Sequence, residues 1–211
     1  MLLIGMFDSP FVRRVAITLK LFDLPFEHAN WSVGKDFHRI REFNPLGRVP
    51  TLVLANGEKL FESAAILDYL DELAGPERAL LPAAGPDRRQ ALNLMAMATG
   101  AAEKGVLQVY EGVFRPESKR HAPWLDRLRL QMNASLAAID RYLGARPGQW
   151  LIGKRMTQAD ITAVCAFTFL NDTLRVAADP AMFESLATLA ARCEAMPAFA
   201  DTRTPFFVPG S

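Results

Sequence analysis

The feature that most constrains this sequence is a change in its hydrophobic periodicity between residues 76 and 86. Before that point, short apolar runs of strand length alternate with segments whose apolar residues recur every three or four positions. After Pro86 the strand signals stop. Helical periodicity then covers residues 87–113, 123–143, 158–172 and 182–195. A mixed β/α start followed by helices alone predicts two domains of different class.

The first part of the chain has clear start and stop signals. Ser9 followed by Pro10 predicts a helix start, because the hydroxyl can cap the helix and proline lacks an N–H that would go unused there. Asn56-Gly57 between two apolar runs predicts a tight hairpin turn. The expected elements are strands at 2–7, 26–31, 51–55 and 58–61, and helices at 10–23, 36–43 and 63–74.

We therefore predict an N-terminal α/β domain over residues 1–76 and an all-helical domain over residues 86–211. The stretch 77–85 is the expected linker, since proline and glycine cluster in and around it. The chain has 211 residues, a length that suits one large domain or two small ones.

Charge and composition exclude several classes of function. Lys plus Arg is 24 and Asp plus Glu is 23, so the formal net charge is only +1, which gives no general attraction to nucleic acid or to an anionic membrane. No window approaches the roughly 18 apolar residues of a membrane span, and the start does not resemble a signal peptide. The two cysteines are too few for a disulfide framework, and the three histidines have no metal-ligand spacing. We expect a soluble, reduced, cytoplasmic protein without a metal.

Three short segments could bind or activate a ligand, and each also has a plain structural interpretation. Ser9 stands where a helix start can stabilise an anion, or it can simply be a cap. A cis Val49-Pro50 bond would leave the Val49 backbone free for a peptide-like ligand, whereas local sequence alone favours a trans proline at the start of a strand. Glu62-Ser63 begins another helix and could hold a carboxylate, or Ser63 could only cap.

Taken in order and spacing, these segments resemble the glutathione S-transferase superfamily, in particular its bacterial branch with serine at the catalytic position. The resemblance covers nearly the whole chain. The matching segments are Ser9-Pro-Phe-Val-Arg-Arg-Val15, Asn44-Pro-Leu-Gly-Arg-Val-Pro50-Thr-Leu52, Glu62-Ser63-Ala-Ala-Ile-Leu-Asp-Tyr-Leu70 and Met156-Thr-Gln-Ala-Asp160-Ile161.

The resemblance implies a thioredoxin-like N-terminal domain, an all-α C-terminal domain and glutathione as co-substrate. It implies that Ser9 stabilises the glutathione thiolate, that Val49 before a cis Pro50 pairs with the cysteinyl backbone, and that Glu62 and Ser63 hold the γ-glutamyl end. Phe11, Lys35 and Arg48 are further candidates for glutathione contacts; Lys35 and Arg48 can equally be solvated charges. The expected acceptor pocket contains Phe7, Met97, Tyr110 and Phe207, although aromatic and Met residues at helical spacing are more often simple core.

The implied activity is conjugation of glutathione to a small hydrophobic electrophile, as in detoxification, by a homodimer that binds neither nucleic acid nor membrane. Serine at position 9 and the absence of a Cys-x-x-Cys motif exclude mixed-disulfide chemistry at that position. Two alternatives stay open. One is a glutathione-dependent isomerase or peroxidase on the same site, and the other is a binding or regulatory protein of the same fold without turnover.

Two other motifs are interpreted as structural. Thr157-x-x-Asp160 is typical of a helix capping box, flanked by Met156 and Ile161 as a hydrophobic staple. Arg13-Arg14 is interpreted as part of a solvated helix face.

Overall fold

The computed structural model describes residues 1–146, 148–177, 179 and 181–206. Strands and helices alternate up to residue 74, and from residue 85 onward the elements are helical. The strands are β1 (Leu2–Ile4), β2 (Glu27–Ala29), β3 (Thr51–Val53) and β4 (Lys59–Phe61). The helices are α1 (Pro10–Leu21), α2 (Phe37–Arg41), α3 (Ser63–Ala74), α4 (Gly85–Phe114), α5 (Ala122–Gly144), α6 (Gln158–Leu174), α7 (Glu184–Glu194) and α8 (Pro197–Ala200), with a 3₁₀ turn at Glu117–Lys119.

The four strands form one mixed sheet in the order β2-β1-β3-β4. β1 and β2 are parallel, as the connection through α1 requires, and β3 is antiparallel to both β1 and β4. Leu3 pairs with Leu52 at the centre of the sheet, and both side chains are fully buried. The predicted fold, a small α/β domain followed by a helical domain, is confirmed.

The β3–β4 hairpin differs from the predicted two-residue turn. The Gly57 N–H donates to the Leu54 C=O and the Leu54 N–H donates to the Glu58 C=O, so the loop is one residue longer than expected. Only Gly57 has a positive φ, +86°, whereas a tight two-residue turn of the Asn-Gly kind needs positive φ at both central residues. The Asn56 side chain instead accepts a hydrogen bond from the Glu58 N–H, 3.0 Å away.

Two apolar cores lie on either side of α1. One face of α1, including Val12, Val15 and Leu19, packs with α3 and the sheet. Ile17, on another face of α1, belongs to the core formed by the C-terminal helices, where α6 is buried along most of its length. Helix α1 therefore belongs to the first domain and is also a wall of the second.

The interpretation of Arg13 and Arg14 as solvated charges is wrong. Both are buried, with 4% and 3% of their surface exposed. Arg13 donates to both carboxylate oxygens of Glu194 in α7 and, at 2.9 Å, to the Phe199 C=O in α8. Arg14 donates to Thr162 in α6 and to Ser63 in α3. Sequence periodicity could not show this, because α1 is covered by both domains and has almost no solvated face.

The linker is held in place by Asp71. Its two carboxylate oxygens accept the N–H groups of Leu80 and Leu81, each at 2.9 Å. The Leu80 C=O in turn accepts the N–H of Gln158 at the start of α6. We propose residues 76 and 86 as the limits of the two domains, with a linker between them that is hydrogen-bonded to α3 and to α6.

The capping box at the start of α6 is present as predicted. Asp160 is fully buried, and its carboxylate accepts the Leu151 N–H, the Thr157 N–H and the Thr157 hydroxyl, each at 2.8 Å. Burial raises the pKa of Asp160, and these hydrogen bonds partly offset the rise. In the part of the chain described here, no helix is both long enough and apolar enough to cross a membrane.

We predict that Glu194→Gln lowers the free energy of unfolding at pH 7 by about 3 kcal/mol, because it leaves the buried Arg13 charge without its counter-ion. Burial tends to raise the pKa of Glu194, but the hydrogen bonds and charge of Arg13 outweigh it, so the pKa lies below its ordinary value. The stabilisation is therefore complete above the unfolded-state pKa of about 4.3 and is lost as the pH falls through the lower folded pKa. Urea unfolding at pH 7 and at pH 3 measures both effects.

The control is Asp201→Asn, which breaks the exposed Lys20–Asp201 pair between α1 and the C-terminal end. Its effect should stay below about 1 kcal/mol. Equal losses for the two variants would contradict the role given to burial.

We predict that Asp160→Ala lowers the free energy of unfolding by about 3 kcal/mol or more, since it leaves three buried donors without an acceptor. Thermal unfolding measures the loss. At a temperature where the variant is folded, any enzymatic activity should stay near that of the wild type, and a selective loss of activity would show that Asp160 has more than a structural role.

Candidate functional site

A cavity of about 630 Å³ lies between the start of α1, the loop before β3 and the middle of α4. Both domains contribute to its wall, so it exists only when they are packed together. The lining residues are Met6, Asp8, Ser9, Pro10, Phe11, Trp31, Ser32, Val33, Phe37, Gly47, Arg48, Val49, Glu103, Val106, Leu107, Val109, Tyr110, Val113, Phe114, Phe169 and Phe206.

Ser9 is the N-cap of α1 and lines this cavity. Its hydroxyl oxygen accepts the Val12 N–H at 3.5 Å, a distance at the outer limit of a hydrogen bond. The hydroxyl proton is not used by this contact and can be donated to a ligand. The first turn of α1 contains no acidic residue, so the positive end of the helix is not neutralised from within the helix.

The loop from Asn44 to Pro50 brings a piece of free backbone to the same wall. Asn44 is buried and organises the loop: its side chain accepts the Leu46 N–H and donates to the Arg48 C=O, each at 3.0 Å. The Val49-Pro50 bond is cis. Among the residues that the structure describes, none donates to the C=O of Val49 or accepts its N–H. The Val49 backbone can therefore pair with an extended ligand, as the resemblance implied and the local sequence alone did not favour.

Gly5 allows this loop to approach α1 closely. Its φ is +127°, and a Cβ at this position would lie 2.6 Å from a Val12 methyl carbon and 2.8 Å from the Val49 Cβ. Only glycine fits both the backbone conformation and the space. The absent side chain therefore lets Val49 lie close to the first turn of α1.

Ser63 and Glu62 lie at the start of α3, next to the buried guanidinium of Arg14. Ser63 is buried and accepts a hydrogen bond from Arg14 at 2.7 Å. Glu62 has a φ of +69° and an exposed side chain, 3.7 Å from Arg48. Burial lowers the pKa of Arg14 to about 10, which still leaves it charged at neutral pH. The structure thus gathers a cation and a helix start at one point, an arrangement suited to a carboxylate.

The opposite wall of the cavity comes from the helical domain. Val106, Tyr110 and Val113 follow one face of α4, with Phe169 of α6 and Phe206 nearby. Burial raises the pKa of the Tyr110 hydroxyl, and Arg48 and Asp8, from the first domain, act on it in opposite directions. Tyr110 therefore keeps its proton at neutral pH.

The structure brings some of the predicted residues to the cavity and places others elsewhere. Ser9, Phe11, Arg48, Val49 and Tyr110 line it. Glu62 is next to the lining residue Arg48, and Ser63 follows Glu62 at the start of α3 without lining the cavity itself. The buried Pro50 follows Val49 in the loop. Lys35 is exposed in a turn and is not part of the lining.

Two predicted acceptor-pocket residues lie outside the lining. The Phe7 ring stacks on the His28 ring, with 3.8 Å between the centroids, and so faces the edge of the sheet. Met97 lies two turns before the cavity face of α4 and packs against the helical core. Phe207 lies outside the described residues.

Other lining residues were not identified from the sequence, among them Asp8, Trp31, Phe37 and Glu103. The spacing of Glu103, Val106, Tyr110 and Val113 is a helical stripe that could have been found. The sequence did not indicate which stripe of α4 faces the first domain, because Leu94, Ala98, Ala101 and Ala102 form another that is buried against α5 and α6.

The cysteines and metal-binding residue types offer no second reactive centre in the described residues. Cys165 and Cys193 are buried free thiols, and burial raises the pKa of each to about 12. Such thiols are protonated and unreactive at neutral pH. No three His, Cys, Asp or Glu side chains of the described ranges are grouped in a way that could hold a metal ion.

Comparisons with known proteins agree with this geometry. Residues 3–78 match the family described as glutathione S-transferase, N-terminal domain, and residues 122–187 match glutathione S-transferase, C-terminal domain. The chain is 33% identical over 171 residues to the uncharacterised GST-like protein YibF of Escherichia coli, covering 81% of this chain and 82% of that protein. It is 28% identical to a probable maleylacetoacetate isomerase of Vibrio cholerae, covering 95% and 94% of the two chains.

Solved structures of glutathione transferases have the same fold as this chain. The crystal structure of a glutathione S-transferase from Methylobacterium radiotolerans in complex with glutathione sulfonate superposes with a TM-score of 0.87 at 34% identity, covering 98% of this chain and 97% of that one. A glutathione transferase family member from Pseudomonas fluorescens with bound glutathione gives a TM-score of 0.83 at 27% identity, covering 97% and 99%.

Proposed function

This chain belongs to the glutathione S-transferase family, and from that premise we propose that it is a glutathione transferase which ionises the glutathione thiol beside Ser9 and directs it at a small hydrophobic electrophile. The observation that carries the proposal is the meeting of three features at one cavity. These are the Ser9 hydroxyl at the start of α1, the unpaired backbone of Val49, and the apolar wall of α4.

The chemistry requires a thiolate. A free thiol with a pKa near 8.5 is mostly protonated at neutral pH, and the thiolate is the nucleophile. Lowering that pKa by about two units corresponds to about 2.7 kcal/mol of preferential stabilisation of the anion. A helix N-terminus and one hydrogen bond from a hydroxyl to the sulfur supply energies of this order. The cavity then holds the electrophile against the sulfur.

Glutathione binding follows from the rest of the site. Val49 offers its N–H and C=O to the cysteinyl backbone, as one strand pairs with another. Ser63 and Glu62 take the γ-glutamyl end, whose carboxylate faces the start of α3. We assign the glycyl end to the neighbourhood of Arg48, with Phe11 closing the cavity on the α1 side. The proposal includes a homodimer in the cytoplasm; light scattering of the purified protein would determine the oligomeric state.

Arg14 acts through Ser63. A guanidinium can only donate, so the Ser63 oxygen must accept from Arg14, and its own proton is directed to another acceptor. That acceptor is the γ-glutamyl carboxylate in our proposal. No carboxylate hydrogen-bonds to Arg14 within the described residues, so the ligand supplies the negative charge that the buried cation lacks.

A second candidate function is glutathione-dependent isomerisation on the same site. Its support is the similarity over most of the chain to the probable maleylacetoacetate isomerase. Both activities need the thiolate, so Ser9→Ala is expected to lower either one.

We predict that Ser9→Ala lowers kcat for conjugation of a generic aromatic electrophile by about 10²-fold, the usual cost of removing one donor to a developing or bound anion. The protein should still be retained on immobilised glutathione, because the backbone contacts remain. Ser9→Thr is the matched control, since it keeps both a hydroxyl and the helix cap, and it should recover much of the rate. The ultraviolet absorbance of the bound thiolate, titrated with pH, should show a raised thiol pKa in the alanine variant alone.

Equal rates for wild type and Ser9→Ala would remove Ser9 from the mechanism. A wild type that is neither retained on glutathione nor active would contradict the proposed function and favour the non-catalytic alternative.

We predict that Arg14→Met raises KM for glutathione about tenfold or more with a smaller change in kcat, as expected from losing the support of a charged hydrogen bond at the γ-glutamyl end. The control is Thr162→Val, which removes the other acceptor of Arg14 and leaves Ser63 bonded. Steady-state kinetics at varied glutathione concentration separate KM from kcat. A fall in kcat alone would place the effect of Arg14 at the thiol and contradict this assignment.

A further inference from the structure

We propose that the acceptor side of the cavity favours aromatic electrophiles that carry a positive charge, and that Glu103 sets this preference. The inference rests on the proposed transferase function and names the class of its second substrate. It comes from the charges on the cavity wall, which the proposed function does not use.

Three charged residues line the cavity: Asp8, Arg48 and Glu103. The only cation of the three, Arg48, lies 3.7 Å from the carboxylate of Glu62, and in the proposed function it meets the glycyl carboxylate of glutathione. Glu103 forms no hydrogen bond or ion pair with any residue that the structure describes. The lining therefore presents negative charge to a ligand. Bound glutathione adds the negative charge of its thiolate beside Ser9, whereas its two carboxylates are met by Arg14 and Arg48 in the proposed binding mode.

Glu103 lies on the α4 wall of the cavity, which is the acceptor side in the proposed function. It lies on α4, on the same face as Val106, Tyr110 and Val113, so these side chains follow one another along the cavity wall. Glu103 and Tyr110 are seven residues apart, about 10 Å along the helix axis. A single aromatic ring packed near Tyr110 can therefore extend a substituent to the carboxylate.

The apolar part of the wall supports the same preference. Aromatic side chains contribute much of it, and the faces of aromatic rings attract cations as well as apolar groups. The aromatic lining residues are Phe11, Trp31, Phe37, Tyr110, Phe114, Phe169 and Phe206. Carboxylate and ring faces both stabilise a cationic substituent, whereas an anionic one meets repulsion with no unpaired cation in the lining to offset it. On the same ground, the charge preference argues against isomerisation of a dicarboxylate as the second candidate function.

The test uses three 1-chloro-2-nitrobenzenes that differ at the 4-position: trimethylammonium, nitro and carboxylate. In each reaction the glutathione sulfur forms a bond to the ring carbon that bears chlorine. Chloride then leaves with the electron pair of the C–Cl bond, and the thiol proton passes to water. Each value of kcat/KM is divided by the rate constant of the uncatalysed reaction with glutathione, which removes the difference in intrinsic reactivity.

We predict that the wild type prefers the trimethylammonium compound over the carboxylate compound by about fivefold or more, a modest ratio because Glu103 is solvent-accessible. Glu103→Gln should reduce this ratio about threefold. Glu72→Gln, which removes an equal charge from the exposed face of α3, should leave the ratio unchanged. Raising the salt concentration should reduce the wild-type ratio and have less effect in Glu103→Gln.

The outcomes separate the two proposals. If the nitro compound is conjugated but the ratio is the same in wild type and Glu103→Gln, or the carboxylate compound is preferred, the charge preference is overturned and the transferase function stands. If none of the three compounds is conjugated, the proposed transferase function falls, and the inference about its substrate falls with it.

Discussion

The position of helix α1 between the two domains is the constraint on which the rest of the structure depends. One face of α1 completes the core of the sheet and α3, while another packs against α6. Arg13 and Arg14, adjacent in sequence, leave the helix in different directions and bind α7 and α3 respectively. Because the N-terminus of this helix is also the cap at Ser9, the packing of both domains determines where the proposed catalytic hydroxyl lies.

Buried charge links stability to function in this arrangement. A buried guanidinium is costly unless it is paired or hydrogen-bonded. Arg13 meets a carboxylate of the protein, and that pair holds the domains together. Among the described residues Arg14 hydrogen-bonds to the hydroxyl groups of Thr162 and Ser63 alone, and in our proposal the γ-glutamyl carboxylate supplies the negative charge. Two adjacent arginines thus have different surroundings, because Glu194 pairs with Arg13 and not with Arg14.

Much of the fold could be predicted from the sequence, and less of the site. Local rules located the helix start at Ser9-Pro10 and the capping box at Thr157–Asp160, since both depend on residues within one turn. They did not favour a cis bond at Val49-Pro50, because the loop that surrounds it is organised by Asn44 and by the space left at Gly5. Phe7 was assigned to the cavity by its neighbourhood in the chain, yet its ring turns toward His28.

The sequence by itself determined the order of the main strands and helices, several helix starts and the family. Each of these depends on short segments and on their spacing along the chain, which can be recognised without knowing the fold. Only the tertiary structure decided that Arg13 and Arg14 are buried. It also decided that Glu103 and Tyr110 line the same cavity as Ser9, whereas Met97 packs into the helical core. The physical reason is that a helical stripe specifies a face but not its partner. What a face contacts is settled by the packing of two cores around α1.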